Sequence, residues 1–401
     1  MSRLTNFKSY NKLIIGLIVT EFVIRQFVSI GGVILMGILT LALFILIKKI
    51  YENKFHKPTM ESVIPLLMLF LLCLIQIITS EPQIKAIIQA WTLFFSLFCF
   101  SNYNITFIST IKKGAYIISF LGAVSILSLN GFSSMSGSVR DEMLIDKGFL
   151  TVWFSISLCF SFIDSMIKGI KNYSTIMFVF ILLVNLVVVQ SKTCILAFIV
   201  FFGFFIVLSK TQIRKRLLRY MIPIIIVYGG LILSNPTEYI PHTFIVAINQ
   251  VVGSDVIPVY TDKFDMGTYD SRELIDAFCA NLFLENPIVG IGLGNYELLP
   301  MLPTGVTECE NTYFDLLVNG GLLYGAPVIY ILLMTLVRNV RQIRKSANTI
   351  EYYYILGVLV SIIVCFRYND FLNISIFMFI GTCYYFCKNP KKLNVFKQLE
   401  R

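Results

Sequence analysis

Twelve stretches of this chain read as membrane spans, and that repetition constrains its fold more than any motif. They run 13–29, 31–47, 63–79, 86–102, 115–129, 149–166, 174–190, 193–209, 218–234, 311–336, 352–367 and 370–387. A bilayer core takes about 20 apolar residues per helix. Backbone groups in lipid must find partners within the protein, so such spans are helices. The expectation is an all-α, polytopic integral membrane protein with about 12 transmembrane helices. The range is 10–12, because the first span holds Glu21 and Arg25 and only Arg367-Tyr368-Asn369-Asp370 parts the last two. Composition agrees: 57% of residues are hydrophobic and 14% charged, against about 25% charged in soluble domains. That balance excludes disorder, a coiled coil and a disulfide-stapled secreted module.

The net charge of +10 invites a nucleic-acid reading, which the placement of the charges removes. With the N-terminus inside and the spans alternating, 25 of the 33 lysines and arginines fall on the inner side. The outward remainder is Arg25, Lys85, Arg140, Lys147, Lys192, Lys263, Arg272 and Arg367. This is the asymmetry of the positive-inside rule, not a basic surface for a polyanion. The first apolar run follows Lys12 without a small-residue cleavage site and reads as a retained span. Both termini are then cytoplasmic, and the lipid bilayer is the first partner.

Three regions follow: spans one to nine with short loops over 1–234, a large extracytoplasmic loop over 235–310, and spans ten to twelve with a basic tail over 311–401. The loop holds eleven acids against Lys263 and Arg272, a formal −9. Loops of that length are uncommon and usually functional. Within it Asp270 reads as a helix N-cap with Glu273 three residues on. Leu274, Phe278 and Leu282 form an apolar stripe, and Asn286-Pro287 ends the helix. The glycines of Gly290-Ile291-Gly292-Leu293-Gly294-Asn295 then read as a turn after a helix end, since no βαβ pattern surrounds them. A second outer loop, 130–148, contains Arg140.

Seven of the nine cysteines sit in or at the ends of spans and read as small packing residues. Cys279 and Cys309 share the outer loop and could form a bridge. Two histidines, His56 and His242, give a metal site little to build on. No metal and no cofactor is expected, and the absence of G-x-x-x-x-G-K-[ST] excludes a P-loop ATPase.

Residues 271–325 resemble the O-antigen polymerase and ligase superfamily of bacterial inner-membrane proteins. The matching stretch is Ser271-Arg272-Glu273-Leu274, then Asn286-Pro287-Ile288-Val289-Gly290-Ile291-Gly292-Leu293-Gly294-Asn295, then Glu310-Asn311-Thr312-Tyr313 through Gly320-Gly321-Leu322-Leu323-Tyr324-Gly325. The family's form is an arginine opening a helix, an N-P-I-x-G-x-G-x-N turn, and H-N followed by G-x-x-G. Upstream, Gln190-Ser191-Lys192-Thr193 sits where the family has a Ser-Arg-small motif. Glu310 stands at the ligase histidine, Lys192 at the usual arginine, and Tyr324 at the second glycine of G-x-x-G. The missing histidine favours a polymerase over a lipopolysaccharide core ligase.

The resemblance implies a GT-C-like fold, an inner-membrane location and a polyprenyl-diphosphate-linked oligosaccharide as substrate. It also implies a chain-length regulator as partner. The leaving diphosphate needs positive charge, which arginine supplies bidentately. The outward candidates are Arg272, Lys192, Arg140, Arg367 and Lys263. The acceptor hydroxyl needs a base, for which Glu310 beside Asn311 is the first choice and Glu308 the second. Asn311 and Tyr313 are the further candidates for binding the diphosphate or sugar, Tyr313 as one of four tyrosines in or beside the loop able to stack on a sugar. Each has a plainer reading: Arg272 with Asp276 as a helix-surface pair, Lys192 as a snorkelling side chain, Glu310 as an acid at a helix start. The competing functions are a ligase of the same superfamily and, in another class, a lipid-linked oligosaccharide flippase. A flippase should hold its ionisable groups within the spans.

Overall fold

The computed structural model describes residues 14–16, 19, 58–80, 82–102, 108–130, 147–168, 173–185, 191–209, 266–295, 311–345, 350–366 and 374–390. Among these residues the chain is helical and contains no strand. Its helices are α1 (Met60–Thr79), α2 (Ile84–Asn102), α3 (Ile108–Asn130), α4 (Lys147–Lys168), α5 (Tyr173–Val184), α6 (Lys192–Leu208), α7 (Met266–Glu285), α8 (Thr312–Lys345), α9 (Ile350–Cys365) and α10 (Ile374–Lys388). α1, α2, α3 over Ile108–Ser128, and α8 are long and apolar enough to cross a membrane. Shorter apolar helices run Leu150–Met166, Tyr173–Val184, Thr193–Leu208 and Ile350–Cys365. Nine of the twelve expected spans meet a helix. The first is described only at 14–16 and 19, and spans 31–47 and 218–234 lie outside the described residues.

The chain divides into two compact units, Met1–Leu208 with Ile275–Arg401, and Ser209–Leu274. In the second, the described residues are Ser209 and the opening turns of α7. The first holds the bundle, with α4 buried along most of its length. Small hydroxyls, not bulky side chains, join α4 to its neighbours. Ser157 meets Ser119 of α3 at 2.7 Å, Ser155 donates to Ser361 of α9 at 2.8 Å, and Thr151 meets Ser191 at 3.0 Å. Between membrane helices such residues allow close approach and satisfy one another. Phe162 of α4 is surrounded edge-on by Phe198, Phe201, Phe202 and Phe205 of α6.

Two helices depart from the expected spans. α3 starts seven residues early, so Lys112 and Lys113 lie within it and not in a connection. The reason is a partner: Lys112 Nζ reaches the fully buried Asp164 of α4 at 2.8 Å. Ser174 and Tyr354 also donate to Asp164, Ser174 at 3.1 Å. α8 continues past 336 to Lys345 and carries Arg338, Arg341 and Arg344 along.

α1 and α8 run antiparallel and touch at both ends. Arg338 pairs with Glu61 at 2.8 Å, Tyr384 donates to the same carboxylate, and Arg338 and Lys388 both lie over the Tyr384 ring. At the opposite end Gln76 of α1 meets Asn319 of α8. Lys112, Arg338 and Lys388 are all cations that the topology assigns inward, so the Gln76 end is the outward one under that assignment.

Candidate functional site

The end assigned outward is organised by a break in α8. Gly321 has φ 60° and ψ −156°, so Thr312–Gly320 forms a short outer half-helix and Leu322–Lys345 a long inner one. Such a break orphans carbonyls on one side and amides on the other. At membrane depth water cannot satisfy them, so protein must.

The turn after α7 satisfies both sides. α7 ends at Glu285, with Asn286 N–H donating to Leu282 O at 3.2 Å and Gly290 N–H to Asn286 O at 2.9 Å. Pro287 O and Ile288 O accept from the Leu322 and Leu323 amides at 2.8 and 3.2 Å, capping the inner half-helix. The Ile291 and Gly292 amides donate to Val318 O and Asn319 O at 2.9 and 3.2 Å, capping the outer one. Gly290 (φ 67°) and Gly321 face each other across the junction. A Cβ on Gly290 would collide with Val318 O and the Asn319–Gly320 peptide, and one on Gly321 with Ile288 O and Val289 N. Gly290, Gly292 and Gly294 are therefore turn glycines, as the sequence suggests, and Gly290, like Gly321 in the break, is required by backbone meeting backbone.

The lock is braced from α1. Gln76 is fully buried. Its Nε2 donates to Val289 O at 2.6 Å and to Asn319 O at 2.9 Å, and its Oε1 accepts from Leu293 N–H at 3.0 Å. Asn295 donates to Ser80 O at 2.5 Å, and Gln83 N–H donates to Leu293 O at 2.9 Å. Sequence reasoning passed over Gln76. The available signal was a carboxamide inside an otherwise apolar span, where an unpaired polar group is costly.

At its other end the outer half-helix starts from Asn311, whose Oδ1 accepts from Tyr313 N–H at 3.1 Å as an N-cap. Thr312 N–H donates to Phe366 O at 2.9 Å, joining the start of α8 to the end of α9. Tyr313 directs its hydroxyl to Ile363 O at 2.9 Å and its ring edge to Phe366. Asn311 and Tyr313 thus hold this end of the helix in place. Tyr324, where the motif departs from G-x-x-G, is buried and stacks on Phe94 of α2 at 5.2 Å.

The other expected site residues are placed unequally. Glu310, Arg140 and Arg367 lie outside the described residues. Glu310 precedes Asn311 and Arg367 follows Phe366, so in sequence they flank the Thr312–Phe366 hydrogen bond. Arg272 belongs to α7 and Lys192 is the first residue of α6. Ser191 caps that helix, its Oγ accepting from Cys194 N–H at 3.3 Å. α7 starts at Met266, a turn before the expected start, so Asp270 is inside it and is not its N-cap. Its buried stripe is Ile275 and Cys279 with Leu282 and Phe283, one residue round from Leu274 and Phe278. It packs on Val318 and Phe314 of the outer half-helix. Cys279 is disulfide-bonded, and its expected partner Cys309 lies outside the described residues. The seven other cysteines are free and buried.

Residues 177–329 match a family model described as O-antigen ligase. The matched stretch runs from α5 through Lys192, α7 and its turn, to both sides of the Gly321 break. Gln76 and the rest of α1 lie before it. No curated protein matches the chain. The apolar helices are those of a multi-pass membrane protein, and within it residues 177–329 are similar to the O-antigen ligase family, whose members are glycan-transferring enzymes.

Proposed function

We propose that the protein polymerises a surface polysaccharide, O-antigen or capsule, from lipid-linked repeat units on the outer face of the inner membrane. The growing glycan is transferred from its polyprenyl diphosphate carrier to a hydroxyl of an incoming lipid-linked unit. In the step, Glu310 takes the proton from the acceptor hydroxyl as that oxygen attacks the anomeric carbon. The bond from that carbon to the diphosphate oxygen breaks, and polyprenyl diphosphate leaves with its electron pair. Arg272, Lys192, Arg140 and Arg367 supply the positive charge that the departing diphosphate requires. Asn311 and Tyr313 hold the helix end that follows Glu310. No metal takes part in this reading, and a chain-length regulator is its protein partner.

The observation that carries the proposal is the family match over 177–329, a stretch of sequence that includes Lys192, Arg272, Glu310 and Asn311. Glu310 in place of the family's ligase histidine favours the polymerase. The description of the matched model supports the second reading, a ligase that attaches finished glycan to a different acceptor. The flippase alternative has less support. The fully buried carboxylate of α4, Asp164, is held by Lys112, Ser174 and Tyr354 at the end assigned inward.

Deletion of the gene separates the three. One repeat unit on the acceptor identifies a polymerase. No repeat, with lipid-linked polymer accumulating outside, identifies a ligase. Carrier held on the inner face identifies a flippase. Within the polymerase, Arg272→Ala and Glu310→Ala each abolish long polysaccharide while single-repeat product and protein level persist. A normal length ladder in both variants removes those residues from the site.

A further inference from the structure

We propose that Gln76 is a positioning residue for glycan transfer, holding the outer half of α8 at the depth and tilt that the residues at its start require. The inference rests on the glycan-transfer reading above. It concerns a residue outside the matched domain and outside every motif in the sequence.

Both donors and one acceptor lone pair of the Gln76 amide are spent on the lock. Two donors go to Val289 O and Asn319 O, and the acceptor takes Leu293 N–H. Asn319 O is one of the carbonyls orphaned by the break, and Val289 and Leu293 belong to the turn that fills it. One side chain from α1 therefore ties the end of the outer half-helix to the turn after α7.

That half-helix spans residues 312–320, too short to hold a helical position by itself. Its direction is fixed at two points. At its start, Asn311 caps it and Thr312 N–H is held by Phe366 O. At its end, Gln76 and the Ile291 and Gly292 amides hold Asn319 O and Val318 O. Without Gln76 the second point rests on the Ile291 and Gly292 amides and on α7 packing alone, and the half-helix is held less firmly against tilting about the first. The candidate base Glu310 is bonded directly to Asn311. A displacement of about 1 Å at a reacting group can cost about 100-fold in rate.

The test uses the full chain in proteoliposomes with lipid-linked repeat units as substrate. Gln76→Met keeps the volume and removes all three hydrogen bonds. Gln76→Glu, when protonated, keeps the acceptor and one donor, and when ionised keeps no donor. Transfer rate, KM and product length are measured from pH 5.5 to pH 8. Amide hydrogen exchange is followed in peptides covering 289–293 and 318–323.

In Q76M these peptides exchange faster and kcat falls by about 100-fold, with KM and the amount of folded protein near wild type. Q76E is more active than Q76M, and its activity relative to wild type falls as pH rises. Three results overturn the proposal. Q76M transfers at the wild-type rate although its lock exchanges faster. The Q76M rate falls only in proportion to folded protein. The ratio of Q76E to wild type is flat with pH. An inactive wild type overturns the glycan-transfer reading, and this proposal with it. An active wild type beside an active Q76M overturns this proposal alone.

Discussion

Gln76 and Asn319, 243 positions apart in sequence, are joined by a 2.9 Å hydrogen bond from carboxamide to main-chain oxygen. Fifteen residues before Gln76, Glu61 on the same helix meets Arg338 on α8. At 1.5 Å per residue the two contacts are about 22 Å apart along α1, most of the way across a bilayer core of about 30 Å. One end is ionic and lies among cations assigned inward, and the other is a backbone lock. Polar contacts at both ends and apolar packing between them give α1 one depth and one direction.

That direction is open to labelling. Met60 at the ionic end is 70% exposed, and Ser80 follows α1 at the lock end. In intact cells, an impermeant maleimide reacts with Ser80→Cys and leaves Met60→Cys unlabelled until the membrane is opened. The reverse pattern places the lock, and with it the start of α8, on the cytoplasmic side.

The facing glycines yield a stability prediction. Alanine at position 290 or 321 meets a left-handed backbone, a cost of about 1–2 kcal/mol. It also meets backbone atoms with no room to retreat, and overpacking costs about 1–3 kcal/mol more. Gly290→Ala and Gly321→Ala each lower the detergent-solubilised Tm by several degrees and lower yield. Since the two sites press on the same junction, their effects in combination are not additive. Thermal unfolding of the singles and the double variant measures this.

Nine of the twelve apolar runs were legible as helices because apolar length is a local property, and so were the turn glycines and the end of α7 at Asn286-Pro287. The break at Gly321 was not. One of three glycines in a 34-residue helix carries no periodicity signal, and the partner that makes the break tolerable is a turn some thirty residues upstream. Gln76 was hidden for the same reason: its acceptors lie 213 and 243 positions away. Lys112 reads as a loop cation until Asp164, 52 positions on, supplies the partner that draws it into α3. Of the candidate site, the N-cap role of Asn311 follows from its residue type. The packing of Tyr313 under Ile363 and Phe366 does not.

The disulfide at Cys279 predicts a thiol count. The sequence has nine cysteines, so pairing of Cys279 with Cys309 leaves seven that react with maleimide after denaturation without reductant, and nine after reduction. Mass spectrometry of the labelled protein distinguishes the two counts. The bridge closes a loop of about 30 residues around the turn that fills the α8 break, and closure of that size contributes about 2–4 kcal/mol. Cys279→Ser therefore lowers Tm, and reductant lowers the wild-type Tm towards the same value. An oxidising compartment is needed for such a bond to persist, which agrees with an outward loop. Nine reactive thiols before reduction rule the bridge out.

The buried pair of Lys112 and Asp164 gives the last prediction. Asp164 is fully buried and the Lys112 side chain is 14% exposed, 2.8 Å away. Lys112 also lies over the Tyr354 ring, 5.0 Å from its centre. Removing one partner of a buried pair leaves the other charge uncompensated, a loss of about 3–5 kcal/mol. Lys112→Met is therefore strongly destabilising. Removing both charges, as in Lys112→Met with Asp164→Leu, restores part of that loss, because no buried charge remains. The recovery is incomplete because the hydroxyls of Ser174 and Tyr354 lose the acceptor they share. Thermal unfolding of the two singles and the double in detergent measures the coupling. A double variant no more stable than the less stable single means that the hydroxyl network, and not the charge pair, holds α3, α4, α5 and α9 together. Where the double variant folds it retains transfer activity, since this cluster lies at the end of the bundle away from the lock.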